Sequence, residues 1–333
     1  MRRTARALLP ALLPCLLIAL LMAGCGDGSD AEESPRSAPW AHATAPVDAS
    51  GPIWAQHGVV HLGDGSTIRT ASRMREYVVA GDGVFFLAGR GTTTLAHATP
   101  TGIRSTGVTI SGWDDLRASP DGRYLAYIDR STGPVDRFHT RLALAIVVDT
   151  RTGREVLRTG AGMGDIKHDD LADLYEDATP PQIAGITAHE VWVAGPDGVR
   201  TYDLPSGALS STYDGQDLWS TKRPWVFRYG HSLGGMWNVE RSWAIAADAK
   251  PAAMLHPASG KDVTPRVDAP DWTLEGWSGA DTVIGYAYDR RPRHPWQAHR
   301  SDGHPIVCRV PSGTCRRIDG ADGKVQLPRP SVG

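Results

Sequence analysis

The sequence predicts an all-β fold of repeated antiparallel sheets, and three observations support this. A turn glycine preceded by Ser or Thr recurs at intervals of 51, 54, 53 and 53 residues. Runs rich in Val, Ile, Tyr, Trp and Phe flank these glycines, as expected for half-buried strands. No long stretch shows convincing helical periodicity. Small sheets of a few strands each can bury their faces by stacking around a ring, so the sequence predicts a β-propeller. The glycines are Gly102, Gly153, Gly207, Gly260 and Gly313.

The turn glycines also predict the number of blades. A short hairpin loop needs one residue with positive φ, which Gly adopts without a steric clash. A looser turn at Gly65 adds a sixth unit to the five above. We therefore predict six antiparallel four-stranded blades, with seven as the alternative because residues 213–252 do not divide clearly into strands. Residues 324–327 are predicted to supply a missing inner strand to the first unit. The predicted strands include residues 84–88, 124–128, 143–149, 191–194, 198–203, 282–288 and 305–310.

One unit carries a recognisable repeat motif. Residues 119–127 read SPDGRYLAY. This stretch resembles the S-P-D-G-[KR]-x-[IL]-A-[YF] repeat of TolB-like and WD40-like bacterial propellers. The resemblance implies that the Pro-Asp-Gly turn joins the innermost strand of a blade to the next strand. That family consists mainly of scaffolds and binding proteins, so the resemblance implies no catalytic residue.

Residues 1–24 have the features of an export signal. Three Arg residues precede an apolar run that is short for a membrane-spanning helix of about 20 residues. The run ends in Leu21-Met22-Ala23-Gly24-Cys25, which resembles the lipobox of bacterial lipoproteins. The resemblance implies cleavage before Cys25 and acylation of its sulfur. The alternative is an ordinary secreted protein in which this Cys occurs by chance.

Composition separates a tether from the propeller domain. Residues 25–50 hold the lipidated Cys and a flexible tether, because their Ala, Ser, Pro, Gly and acidic residues bury little apolar surface. Residues 51–333 form the propeller. Removal of residues 1–24 leaves 32 basic and 37 acidic residues, a net charge of −5. This balance argues against nucleic-acid binding, which needs a basic face. The basic residues are mostly Arg, a bias typical of high-GC bacteria such as actinobacteria.

Cys308 and Cys315 are predicted to form a disulfide bond. They flank a hairpin-type turn, and opposed positions on a hairpin bring Cβ atoms within bonding reach. Disulfides also persist in exported proteins. The loop is short, so the expected stabilisation is modest. A redox or metal-binding thiol pair is the alternative, although no other residues have zinc-site spacing.

The sequence Gly230-His231-Ser232-Leu233-Gly234 matches the G-x-S-x-G motif around the nucleophile of many serine hydrolases. In those enzymes the serine follows a strand and precedes a helix on a parallel sheet. Residues 51–224 show hairpins without crossover helices, and Gly is frequent throughout the chain. The sequence therefore favours a blade loop at Ser232, with a catalytic serine as the alternative.

The long connections are predicted to lie at one rim of the propeller, which we call the loop rim, and the tight turns at the opposite rim, the turn rim. Binding residues usually lie on loops that a rigid scaffold holds in place. The predicted loop-rim segments are residues 129–141, 160–181, 214–224 and 289–303.

Two of these loops contain candidate ligand-binding residues. Asp169, Asp173 and Asp177 recur every four residues, so a helical turn would place them on one face. They form either a Ca²⁺ or cationic-ligand site or, as we favour, a solvated surface. Arg293 and Trp296 lie in a basic, aromatic loop that suits an anionic or sugar ligand, or that covers a blade edge.

Together these features predict a monomeric, membrane-anchored extracytoplasmic lipoprotein. Its propeller binds an envelope protein or a small ligand at the loop rim, without catalysis, cofactor or metal. The alternatives are an exported serine hydrolase that uses Ser232 and a structural scaffold of a cell-envelope complex.

Overall fold

The chain folds into antiparallel sheets that follow one another along the sequence. A computed structural model describes residues 35–49, 51–71, 73–89, 91, 93–110, 116–177, 180–213, 228–229, 232–233, 236–238, 242–246, 253–256, 261–278, 281–290, 303–329 and 331. Within these ranges there are five four-stranded sheets, one three-stranded sheet and one two-stranded hairpin. Neighbouring strands in each sheet are consecutive in the chain, so each four-stranded sheet has the meander topology of a propeller blade.

The three-stranded sheet contains β1 (Trp54–Gln56), β2 (Val59–His61) and β3 (Thr67–Arg69). The first blade contains β4 (Met74–Ala80), β5 (Gly83–Ala88), β6 (Thr93–Thr99) and β7 (Gly102–Ile110). The second contains β8 (Leu116–Ala118), β9 (Tyr124–Asp129), β10 (Leu144–Asp149) and β11 (Arg154–Thr159). The third contains β12 (Gln182–Ile186), β13 (Glu190–Gly195), β14 (Gly198–Asp203) and β15 (Leu209–Tyr213).

The hairpin contains β16 (Arg228–Tyr229) and β17 (Ser232–Leu233). The fourth blade contains β18 (Met236–Trp237), β19 (Ala244–Ala246), β20 (Ala253–His256) and β21 (Lys261–Val263). The fifth contains β22 (Asp271–Trp277), β23 (Thr282–Tyr288), β24 (His304–Arg309) and β25 (Thr314–Arg317). A 3₁₀ turn at Pro39–Ala41 and the seven-residue helix α1 (Leu171–Asp177) are the described helical elements.

The predicted turn chemistry is confirmed at the described glycines. Gly153, Gly207 and Gly313 have φ values of 62°, 70° and 70°. A Cβ atom on Gly207 would lie 2.4 Å from the carbonyl oxygen of Val156, so both the backbone conformation and the space require glycine there. Gly260 lies outside the described residues.

The SPDG segment forms the turn between β8 and β9, as the repeat motif implied. The Ser119 hydroxyl donates to Asp121 Oδ1 over 2.6 Å and accepts the Tyr124 N–H over 2.8 Å. Gly122, with φ of 67°, donates its N–H to the Ser119 carbonyl over 2.8 Å. Tight side-chain and backbone bonding therefore fixes this turn.

The prediction of six or seven blades is wrong, because five four-stranded blades are found in the described chain. The turn at Gly65 does join two strands, but they belong to the three-stranded sheet. The inner edge of that sheet is met by the tail at one bridge, between Ala55 and Gln326, rather than by a full strand. The tail does pair with the first sheet within residues 324–327, as predicted. Two backbone hydrogen bonds of 2.8 Å join Gln326 to Ala55.

The apolar core lies between neighbouring sheets. Every residue of β9, β10 and β23 is buried, since these middle strands are covered on both faces. One buried cluster joins side chains of the first three blades, among them Phe85, Leu125, Ile146 and Ile183. Burial on both faces holds adjacent blades together and leaves their connecting loops at the surface.

The predicted disulfide is present. Cys308 on β24 lies directly opposite Cys315 on β25, with Cα atoms 4.0 Å apart and a bond between the sulfurs. The pair therefore links the two outer strands of the fifth blade.

Residues 35–49 differ from the flexible tether that their composition suggested. The segment lies along the turns of the first two blades, and Trp40 packs edge-on against Phe85 and near Tyr127, with ring centroids 6.0 and 6.2 Å apart. Small residues suit this close contact with the turns, and Ala38 and Ala41 are buried. Three backbone hydrogen bonds of 2.8 Å fix the segment: Ala38 N to Gly153 O, Ala43 N to Thr150 O, and Val47 N to Gly81 O.

Among the helices that could be described, none has the length and apolar character to cross a membrane.

Candidate binding surface

The two long described connections lie together at the loop rim. Residues 130–143 join β9 to β10, and residues 160–181 join β11 to β12. Both leave from the end of the second blade opposite the SPDG turn, because successive strands of the blade are antiparallel. The turn rim is covered along these blades by residues 35–49, which leaves the loop rim as the open face of this region.

Asp136 joins the two connections of the loop rim. Its Oδ1 accepts the N–H groups of Phe138 and Thr140, both over 2.8 Å, and its Oδ2 accepts the N–H of Leu171 over 3.0 Å. Burial raises the pKa of Asp136, but these three backbone bonds and the charge of nearby His139 together outweigh it, so the pKa lies below its usual value. The carboxylate stays ionised and also satisfies an N–H group at the start of α1.

Tyr175 fastens α1 to the body of the propeller. Its hydroxyl donates to the Met163 carbonyl over 2.9 Å and accepts the Ala143 N–H over 3.0 Å. The Arg130 guanidinium lies 5.6 Å from the centre of its ring. Burial raises the pKa of the phenol, so Tyr175 remains a neutral donor at physiological pH. Both connections are thus held as one body at their bases.

The tip of the 130–143 connection exposes apolar side chains on this fixed backbone. Val135 is 43% exposed and Phe138 is 49% exposed. Val135 forms an antiparallel bridge with Arg141, and the Arg137 guanidinium lies 4.6 Å from the Phe138 ring centre. An aromatic ring with a stacked cation, presented to solvent by a preorganised loop, is suited to contact a partner.

The three predicted loop carboxylates do not all lie on one helical face. Asp169 precedes α1, and its Oδ2 accepts the Asp165 N–H over 2.7 Å, so it closes a local turn. Asp173 and Asp177 lie on the exposed side of α1. Across the part of the chain that is described, no three His, Cys, Asp or Glu side chains are arranged to hold a metal ion.

Three other predicted positions, Cys25, Arg293 and Trp296, lie outside the described residues. The backbone of Ser232 belongs to β17 and pairs with Tyr229 of β16, in a hairpin whose strands have two residues each. The next described element is strand β18, so the strand–turn–helix sequence of a hydrolase elbow does not occur at these residues.

Sequence reasoning missed Asp136, Val135 and Phe138 as candidates. A local signal existed for the carboxylate, since Asp at a loop position readily accepts N–H groups two and four residues later. The bond to Leu171 spans 35 residues and has no such signal. The link between the two connections therefore could not be deduced from the pattern of residues.

No known protein family matches this chain, and no curated protein sequence matches it. Solved structures with a similar fold include the β-propeller domain of the trilobed protease from Pyrococcus furiosus, which has an open velcro topology. Its sequence identity is 11%, its TM-score is 0.33, and the match covers 77% of this chain and 76% of that one.

Two further similar structures are larger proteins. A puromycin-hydrolyzing peptidase from Mycobacterium tuberculosis has 16% identity and a TM-score of 0.36, with 83% of this chain and 43% of that chain covered. The dihydro-heme d1 dehydrogenase NirN has 12% identity and a TM-score of 0.32, with 83% and 55% covered. The chain thus spans about half of the length of these two proteins. At such identities and TM-scores the similarity carries no functional argument.

Proposed function

We propose that this protein is a binding module that recognises a protein partner at the loop rim, through the surface formed by Val135, Arg137 and Phe138. We further propose that it performs no catalysis and is anchored outside the cytoplasm by acylation of Cys25.

The observation that carries the proposal is the bonding of Asp136. One carboxylate fixes three N–H groups from two connections, while two large apolar side chains beside it remain about half exposed. Exposing apolar area on a rigid loop lowers the entropic cost of association, because little ordering remains to occur on binding. Aromatic and Arg residues are also those in which interface hot spots are enriched.

A protein partner fits this surface better than a small ligand does. Small-molecule sites are concave and enclose about 300 Å³ or more. Two cavities of the described chain measure about 70 and 180 Å³, and neither is bordered by Val135, Arg137 or Phe138. The exposed side chains of Val135 and Phe138 therefore suit a complementary protein face better than a small ligand.

A photo-crosslinking amino acid in place of Phe138 tests the proposal in native membranes. We expect a discrete crosslinked product. An excess of wild-type protein without the crosslinker should suppress this product by competition, whereas an excess of the Phe138→Asp variant should not. The matched control carries the same crosslinker at Leu209, which is 53% exposed on β15, away from the loop rim. Equal products from both positions, or none at position 138, would contradict the proposal. A product of twice the chain mass would identify the partner as a second copy.

The absence of catalysis is tested separately with a fluorophosphonate probe, which labels activated serines. The Ser232→Ala variant is the control. Stoichiometric labelling that this substitution abolishes would overturn the non-catalytic part of the proposal and favour the hydrolase.

A further inference from the structure

The tail of the chain runs along the inner edges of three sheets. The Arg329 N–H donates to the Tyr77 carbonyl on β4 over 2.8 Å, and the Ser331 carbonyl accepts the Ile186 N–H at the end of β12 over 2.7 Å. Earlier in the tail, Gln326 forms an antiparallel β-bridge with Ala55 on β1. Each of β1, β4 and β12 is the edge strand of its sheet. Edge strands present N–H and C=O groups that can pair with an added extended segment.

Tyrosine hydroxyls add side-chain bonds to the same segment. Tyr286 donates to the Val325 carbonyl over 2.7 Å, and Tyr77 donates to the Gln326 carbonyl over 3.1 Å. The Gln326 amide in turn donates to the Arg75 carbonyl over 2.8 Å. Apart from the bond made by this amide, all of these hydrogen bonds are made to backbone atoms of the tail. They therefore require an extended conformation but not particular side chains.

One contact is specific to a basic residue. Arg329 Nε donates to Glu76 Oε2 over 2.8 Å, and the Glu76 side chain is only 6% exposed. Arg75 Nη2 lies 3.3 Å from the other carboxylate oxygen. The Glu76 carboxylate is therefore a buried acceptor that a guanidinium on the tail reaches. Beside Arg329 and Ser331 a cavity of about 70 Å³ remains, bordered by Ile53, Ser119 and Ser278.

We propose that the inner edge formed by β1, β4 and β12 is a binding site for an extended peptide with a Pro-Arg step, and that residues 325–329 and Ser331 occupy it as an internal ligand. Pro328 favours the extended conformation, and Arg329 provides the cation for Glu76. A partner segment of the same chemistry binds by displacing the tail. This site is separate from the loop rim and does not depend on the function proposed there.

Cleavage of the intact chain in the turn before the tail tests this. The turn at Gly320 has φ of 78°, and the space around its Cβ position is open, so a site-specific protease sequence is inserted after this glycine, which is kept. The cleaved protein retains all residues. A fluorescent peptide of residues 321–333 is added, and its anisotropy reports exchange with the resident tail.

We expect saturable binding to the cleaved protein and none to the uncut protein. Unlabelled peptide with Arg329→Glu should compete about tenfold less well or worse, because it loses a charge-assisted bond and places a second carboxylate beside Glu76. Peptide with Lys324→Glu makes the same charge change at an exposed side chain and should compete like the original. On the Glu76→Gln protein, the difference between the two competitors should shrink.

Three results would overturn the proposal. One is equal competition by the two charge-changed peptides on the wild-type protein. The second is failure of the labelled peptide to exchange, and the third is loss of the cooperative thermal transition on cleavage. Either of these would make the tail a fixed structural strand. If the Glu76→Gln variant does not fold, the pair of peptides on the wild-type protein still decides the question.

Discussion

Acidification should destabilise this protein through one buried imidazole, that of His97. The side chain is fully buried, and its ring stacks on Phe85 with centroids 4.1 Å apart. Arg104 lies on one side, with Nε 3.2 Å from Nδ1, and Asp82 Oδ1 lies 3.1 Å from Nε2 on the other. Because the guanidinium donates to Nδ1, the ring proton of neutral His97 is at Nε2, although Nε2 and Asp82 Oδ1 do not meet in hydrogen-bond geometry.

The structure gives the sign and size of the effect. Burial lowers the pKa of His97 to about 4; Asp82 opposes this shift and Arg104 adds to it. In the unfolded chain the imidazole titrates near 6.5. Between these values the unfolded chain binds the extra proton, so stability is complete above pH 6.5 and falls as the pH drops towards 4. At about 1.4 kcal/mol per pH unit, the loss between pH 6.5 and 5 is at most about 2 kcal/mol.

Urea unfolding followed by tryptophan fluorescence at pH 7, 6 and 5 measures this loss. The His97→Gln variant keeps an acceptor for Arg104 but cannot titrate, so its free energy of unfolding should vary less over this range. His61, whose pKa burial also lowers, contributes with the same sign, and His61→Gln separates its share. Equal losses in the wild-type protein and in His97→Gln would refute the argument.

Three further outcomes are expected. The Cys308→Ala/Cys315→Ala double variant should lose about 2 kcal/mol of stability in denaturant titrations, because the disulfide closes a loop with a sequence separation of only 7 residues; a variant as stable as the oxidised protein would contradict this. The Asp136→Ala variant should show amide exchange about tenfold faster or more at Phe138, Thr140 and Leu171 by mass spectrometry, since each loses its acceptor; unchanged exchange there, compared with the β9 amides as internal reference, would remove Asp136 as the link. The Cys25→Ala variant should lose metabolic incorporation of palmitate and leave the membrane fraction; continued incorporation would disprove acylation of Cys25.

The elements of this fold that sequence reasoning identified are those with local causes. Glycine turns such as Gly153 and Gly313 follow from backbone sterics, and the flanking β-branched and aromatic runs became β10, β14 and β24. The blade count failed because a turn marks a hairpin and not a complete sheet. The turn at Gly65 looks like the others, but its sheet has three strands.

The features that sequence reasoning missed depend on contacts between distant residues. Composition marked residues 35–49 as tether, since no pattern reveals that small Ala residues fit against turns more than 100 positions away. The Glu76–Arg329 pair spans 253 residues and could not have been selected among the many charged residues. Helical spacing did place Asp173 and Asp177 on α1, but it gave no sign that Asp169 would be used by a local turn.

The docking of residues 35–49 on the turn rim has a consequence for how the molecule stands on a bilayer. Pro35 follows Cys25 by ten positions, and a fully extended chain of that length spans at most about 35 Å. With lipid on Cys25, the segment docked at the turn rim would begin within about 35 Å of the anchor. The propeller would face the lipid headgroups with its tight turns, and Phe138 would point outwards to whatever approaches the membrane from the far side.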